Sequence, residues 1–264
     1  MTIAGLDEAW PVNFAKVRPG YAVPSWDVTV RESTVARLAR GVHEVASDRI
    51  PTALAGNLAV VIAFRVLPRN ILHTRQQIEV IGTAKVGETL RVATDITTVT
   101  NRRGKAYVCF QGSVCNAEGE PLWMTASEFV VPQAPTLGLP EAASESLAWP
   151  NDLTDTQDAE QILDLASMAA FAGKGNFHSD REIAQRFGYA APVAQGMHTA
   201  ALGFKLVTAS GHPWPARGRC DIRFIGTALE DDCLMLQAGR SAGTKRHWLR
   251  AQLAGKTIMV ACFD

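Results

Sequence analysis

The densest supply of reactive side chains lies in residues 171–197, Phe-Ala-Gly-Lys-Gly-Asn-Phe-His-Ser-Asp-Arg-Glu-Ile-Ala-Gln-Arg-Phe-Gly-Tyr-Ala-Ala-Pro-Val-Ala-Gln-Gly-Met. His178 brings an imidazole whose unperturbed pKa, roughly 6.5, suits acid/base work at neutral pH. Asn176 and Asp180 flank it two residues away on either side, and each could orient the ring. The same run also reads as local structure. Ser179-x-x-Glu182 has the form of a capping box and predicts a short helix from near Asp180. Gly188 stands where a helix end needs a left-handed residue, and Pro192 suits the first turn of the next helix. The Gly173–His178 loop is therefore expected between two helices, close to the start of the second.

That second helix is predicted over about 192–207 and is apolar around nearly its whole circumference, the pattern of a helix buried on most sides. A similar small-residue helix is expected over about 51–63. Each is followed by strands. In the first half these are Thr89–Thr100, Ala106–Cys115 and Leu122–Val131, with a hairpin turn over residues 101–105. In the second they are Cys233–Ala238, His247–Leu253 and Thr257–Phe263, with Gly255-Lys256 as a turn. Ile78-Glu-Val-Ile-Gly-Thr-Ala84 recurs as Ile222-Arg-Phe-Ile-Gly-Thr-Ala228, 144 positions later and with five of seven residues identical. A repeat in matching context points to duplication. Between the copies, Pro132–Pro150 holds four of the 13 prolines and reads as linker. The expected division is a first repeat over 1–131, a linker over 132–158 and a second repeat over 159–264, helical from Ala159. A buried helix followed by an antiparallel meander, twice, makes a paired α+β unit.

The 264 residues carry 26 basic and 26 acidic side chains, so the formal net charge is zero. That argues against nucleic acid as a partner, which calls for a basic surface, and against an anionic membrane. The longest wholly apolar run, Leu58–Phe64, is seven residues, against roughly 20 for a bilayer span. The acidic start, Met1–Glu8, does not read as a secretory signal. Five cysteines without CxxC or Cys/His spacing imply neither a disulfide framework nor a metal site, and buried thiols fit a cytoplasmic protein.

The 171–197 run resembles the signature of the MaoC-like, R-specific enoyl-CoA hydratases, a hotdog-fold family. Phe171, Gly173, Asn176, His178, Asp180, Ala184, Gly188, Ala194, Gly196 and Met197 match that pattern in order. Val86-Gly-Glu-Thr-Leu90 and Asn116-x-x-Gly119-Glu120 are similar to strand-connecting features of the same proteins. The resemblance implies a double hotdog, with only the second half bearing the motif and the first lining an acyl tunnel. It implies an acyl thioester of coenzyme A or of acyl carrier protein as substrate, no further cofactor, and a homodimer. The sequence departs from the family where the catalytic Asp is expected. Gly173 lies five residues before His178, Lys174 follows Gly173, and Phe177 replaces a proline.

Syn hydration of a 2-enoyl thioester needs a base for water at C3, an acid at C2 and a donor for the thioester oxygen. On the resemblance, His178 does the acid/base work, Asn176 or Asp180 positions it, and Gly196 marks the helix N-terminus that polarises the carbonyl. Gly173, Lys174, Gln195, Met197 and His198 are the expected substrate contacts. Each has a plainer reading beside it. Asn176 is equally a turn residue, Asp180 a first-turn acid, Gly196 a packing glycine and Lys174 a solvated charge. His198 is either a satisfied core histidine or a tunnel-facing auxiliary. Arg102, Arg103 and Lys105 are either an exposed hairpin or a grip on the nucleotide end of coenzyme A. Two other functions share the fold: a thioesterase, for which Gln195 is the polar candidate near the central helix, and a non-catalytic or repurposed acyl-thioester binder.

Overall fold

A computed structural model describes residues 16–44, 52–68, 71–132, 134–143, 145–209 and 218–264. The expected start of the first buried helix at Pro51, and Met1–Glu8, lie outside the described residues. The first half runs β1 (Ala22–Thr29), α1 (Glu32–Gly41), α2 (Thr52–Ala63), β2 (Leu72–Val80), β3 (Thr89–Arg102), β4 (Lys105–Cys115) and β5 (Pro121–Val131). The second runs β6 (Leu153–Ile162), α3 (Leu165–Ala172), α4 (Arg181–Arg186), α5 (Gly196–Ala209), β7 (Gly218–Phe224), β8 (Cys233–Ser241), β9 (His247–Leu253) and β10 (Lys256–Phe263). Among the described residues, no helix is long and apolar enough to cross a membrane.

The strands form a single antiparallel sheet in the order β1-β3-β4-β5-β2-β7-β10-β9-β8-β6. Among the described residues each half supplies five strands in the same internal order, and the halves join where β2 pairs with β7, Gln76 opposite Ile222. The sequence repeat is the seam of the molecule. Its copies end alike: the N–H groups of Ile81 and Gly82 both donate to Leu122 O, and those of Ile225 and Gly226 both donate to Ile258 O.

α2 and α5 lie on the sheet and meet each other. Leu54, Leu58, Met197 and Ala200 are all buried at that layer. The helices approach closely because Gly56 lacks a side chain; a Cβ there would fall 2.7 Å from the Met197 methyl. Turn chemistry fixes the hairpins. Arg103 and Gly104 (φ 53° and 75°) join β3 to β4, while Ala254 and Gly255 (φ 47° and 77°) join β9 to β10, the two-residue geometry that matches strand twist. On the outer face, Glu145 of the connecting segment bridges Arg75 (3.0 Å) and Arg223 (3.1 Å) across the seam.

Three expectations need correction. Residues 153–162 are a strand, so the linker is shorter than 132–158 and no helix starts at Ala159. β6 is an edge strand that pairs only with β8, and its outward residues are mostly polar. Such an edge needs no apolar alternation, and its charges discourage pairing with another chain. The second buried helix begins at Gly196 rather than Pro192. Residues 192–194 run extended instead, with Ala194 N–H on Ala228 O (2.8 Å) and Glu230 N–H on Pro192 O (2.8 Å). The cap of α4 is Asp180, not Ser179: its carboxylate accepts from Ile183 N–H at 3.0 Å.

Candidate active site

The loop between α3 and α5 is built around one histidine. α3 starts on Asp164, which accepts from Ser167 N–H, and stops at Gly173, whose φ of 84° turns the chain away. Asn176 then knots the loop. Its amide donates to Ala172 O (3.3 Å) and Gly173 O (3.2 Å), and its oxygen accepts from His178 N–H (2.9 Å). Phe177 sits in a small apolar cluster with Ala184 and Val193, against which Tyr189 and Leu229 pack. Arg181 braces the loop from outside by donating from Nε and Nη2 to the two carboxylate oxygens of Glu230, at 2.8 and 2.5 Å.

His178 Nδ1 lies 2.7 Å from Val193 O. A carbonyl can only accept, so Nδ1 carries the proton and Nε2 is left with a lone pair. Burial pushes the imidazole down to about 4, partly offset by the Val193 hydrogen bond. At neutral pH, His178 is therefore an uncharged base of fixed tautomer.

His178 lines a cavity of about 270 Å³ that lies between the two halves. The second half contributes Gln195, Gly196 and Phe224 beside it; the first contributes His73, Phe129 and the hairpin residues Lys105 and Tyr107. Gly196 is the first residue of α5, where N–H groups have no carbonyl of their own helix to meet and the helix dipole is positive. A Cβ on Gly196 would fall 3.0 Å from the Phe224 ring, so glycine there also keeps this turn close to β7. No Asp or Glu lines the cavity among the described residues.

The structure thus brings His178, Gln195 and Gly196 together and places the other expected site residues elsewhere. Asn176 is committed to the loop backbone and Asp180 to the cap of α4. Gly173 and Lys174 line a different cavity, of about 990 Å³, beside Arg37 and Arg40 of α1. Met197 is buried against Gly56. His198 donates from Nε2 to Gly41 O at 2.7 Å and packs on Phe171, and burial holds it down to about 4. It is a core histidine joining α5 to α1. In the hairpin, Arg102 pairs with the buried Glu128 at 2.5 Å while Lys105 reaches the cavity.

Sequence reasoning missed His73. It comes from β2, stacks on Phe129 with ring centroids 4.7 Å apart, and lies 4.8 Å from Phe224. Burial drives its pKa down to about 3, against the Arg75 backbone and the Gln76 side chain, which favour the cation. A lone histidine in a strand leaves no periodic signal.

Structural comparison identifies the architecture. The chain superposes on HtdX of Mycobacterium tuberculosis with a TM-score of 0.69 and 17% identity, over 91% of this chain and 99% of that one. A MaoC-like dehydratase from Phytophthora capsici gives 0.71 and 16%, over 96% and 97%. A further Mycobacterium tuberculosis protein, described as having a double hotdog fold, gives 0.66 and 12%, over 95% and 96%. The fold is a double hotdog. By sequence alone, no protein-family model and no curated protein matches the chain.

Proposed function

We propose that this protein adds water across the double bond of 2-enoyl thioesters, or removes it from 3-hydroxyacyl thioesters, in the cavity between its halves. One observation carries the reading: a neutral histidine with a free Nε2 lines the same cavity as the first turn of a buried helix. A dehydratase among its structural neighbours supports it.

The chemistry closes on these groups. His178 Nε2 takes a proton from water as the oxygen bonds to C3. The displaced electron pair moves to the thioester oxygen, where the N–H groups opening α5 at Gly196 stabilise the enolate. His178 then returns its proton to C2 on the same face. The Nδ1–H bond to Val193 O holds the ring in register throughout. The thiol half is coenzyme A or the arm of a carrier protein, with Lys105 at the cavity as a cation for it. A thioesterase reading is weaker, because among the described residues no carboxylate lines the cavity to activate water for attack on the carbonyl.

The test is loss of enoyl absorbance with 2-enoyl-CoA substrates of several chain lengths, with a thiol reagent run in parallel. Wild type consumes the enoyl group without releasing thiol. His178→Ala loses about 10²–10⁴-fold, the usual worth of a general acid/base. Equal inertness of both proteins across all chain lengths defeats the proposal.

A further inference from the structure

Two buried hydrogen-bonding atoms, each on a residue that lines this cavity, have no partner among the described residues. They are His73 Nε2 and Gln195 Oε1, both closed off from solvent. Buried polar atoms are nearly always satisfied, so an unfilled pair in one cavity marks where a water or ligand binds. His73 is also held firmly. Its ring lies between Phe129 and Phe224, and β2 carries one extra residue, Thr74, against β5 immediately after it. Bulges of this kind re-aim side chains beside functional sites. Thr74 is pinned in turn, its hydroxyl donating to Glu128 O (3.1 Å) and Oε1 (2.8 Å), while Arg102 grips the same carboxylate. Phe224 touches both His73 and the Gly196 position, so the first-half imidazole stands one ring away from the opening turn of α5.

We propose that His73, from the half without the motif, is the second contact to the reacting water, its Nε2 accepting one O–H while His178 Nε2 accepts the other. The proposal rests on the hydration reading and names a residue for it. As the water oxygen bonds to C3, the proton on the His178 side transfers to His178 and on to C2. The O–H on the His73 side remains and becomes the 3-hydroxyl, still bonded to His73. Two imidazoles, one from each half, then hold the water in a site that no carboxylate lines among the described residues. Gln195 Oε1, the other unfilled acceptor, takes a further N–H or O–H of the bound thioester.

His73→Phe keeps the ring stack and volume but deletes the nitrogens; His73→Gln keeps a hydrogen-bonding group. In turnover with 2-enoyl-CoA, His73→Phe is expected to lower kcat about 10²-fold with KM within about threefold, and His73→Gln to recover about tenfold of that loss. A purely structural histidine gives the reverse pattern, with both variants equally impaired and their Tm equally lowered. A second measurement needs no turnover. In a His178→Ala background, calorimetry compares 3-hydroxyacyl-CoA with the saturated acyl-CoA of the same length. The hydroxyl is expected to improve binding about tenfold, and His73→Phe to erase that preference while leaving the saturated ligand's affinity unchanged. Wild-type kcat in His73→Phe, a preference that survives it, or no hydroxyl preference at all overturns the proposal. An inert wild type whose hydroxyl preference still depends on His73 defeats the hydration reading and keeps this contact.

Discussion

The two halves share a frame but not a loop. Both fold five strands in one order, and both end their repeat with two N–H groups on one carbonyl. Matching Leu122 to Ile258 by that bond also matches Glu128 to Asp264, and each of these acids pairs with an arginine, Arg102 or Arg246. The difference lies before the central helix. Ten residues separate α1 from α2, whereas 23 separate α3 from α5, and the longer segment carries α4, His178 and Gln195. The duplicated frame sets positions; the longer loop carries His178, the base of the proposed reaction. The first half is still not a bystander, because the β2–β7 seam sets His73 and Phe129 into the same cavity.

The largest expected effect strikes the loop. His178→Ala lowers turnover by about 10²–10⁴-fold while circular dichroism reports an intact fold, since the frame does not depend on that ring. Acid comes next and involves histidines of both halves. His178 and His198 are held down to about 4 and His73 to about 3, so the unfolded chain binds protons first as pH falls below 6.5. Stability is therefore full above about 6.5 and is lost as pH falls toward 4, read as a declining Tm. His73→Phe should flatten that decline, and so should a variant at His198 of the second half. The acid limb of kcat should likewise fall near 4 rather than 6.5, because the neutral imidazole is the working form.

The matched carboxylates sharpen the comparison. Glu128 is 6% exposed and its side chain serves both Arg102 and Thr74. Removing it with Glu128→Ala leaves a largely buried guanidinium unpaired, at a cost of about 3–5 kcal/mol in urea melts. Asp264 is about half exposed beside Arg246, and Asp264→Ala should cost less than about 1 kcal/mol. Equal losses would mean that the two pairs share more than their place in the repeat.

Much of this frame was legible in the sequence, for local reasons. The meander strands followed from alternation and from turn residues such as Arg103-Gly104, and both central helices from apolar residues on every side. The edge strand β6 was not, because Thr154, Asp155, Gln157 and Asp158 face water and carry no alternation. The start of α5 was misjudged because Pro192 fits a first helical turn locally, while its carbonyl is claimed by Glu230 from another loop. His178, Gln195 and Gly196 could be read from one contiguous run. His73 could not, because only the antiparallel β2–β7 pairing brings it there.

The central claim is that the cavity between the halves directs water to C3 of an enoyl thioester. The most direct test is incubation with 2-enoyl-CoA in ¹⁸O-water, followed by mass spectrometry of the intact thioester and of any free acid. The account predicts one ¹⁸O in the 3-hydroxyl of intact 3-hydroxyacyl-CoA with wild type, and labelling about 10²–10⁴-fold slower with His178→Ala. Label appearing in a released carboxylate instead, or equal labelling by both proteins, would contradict it.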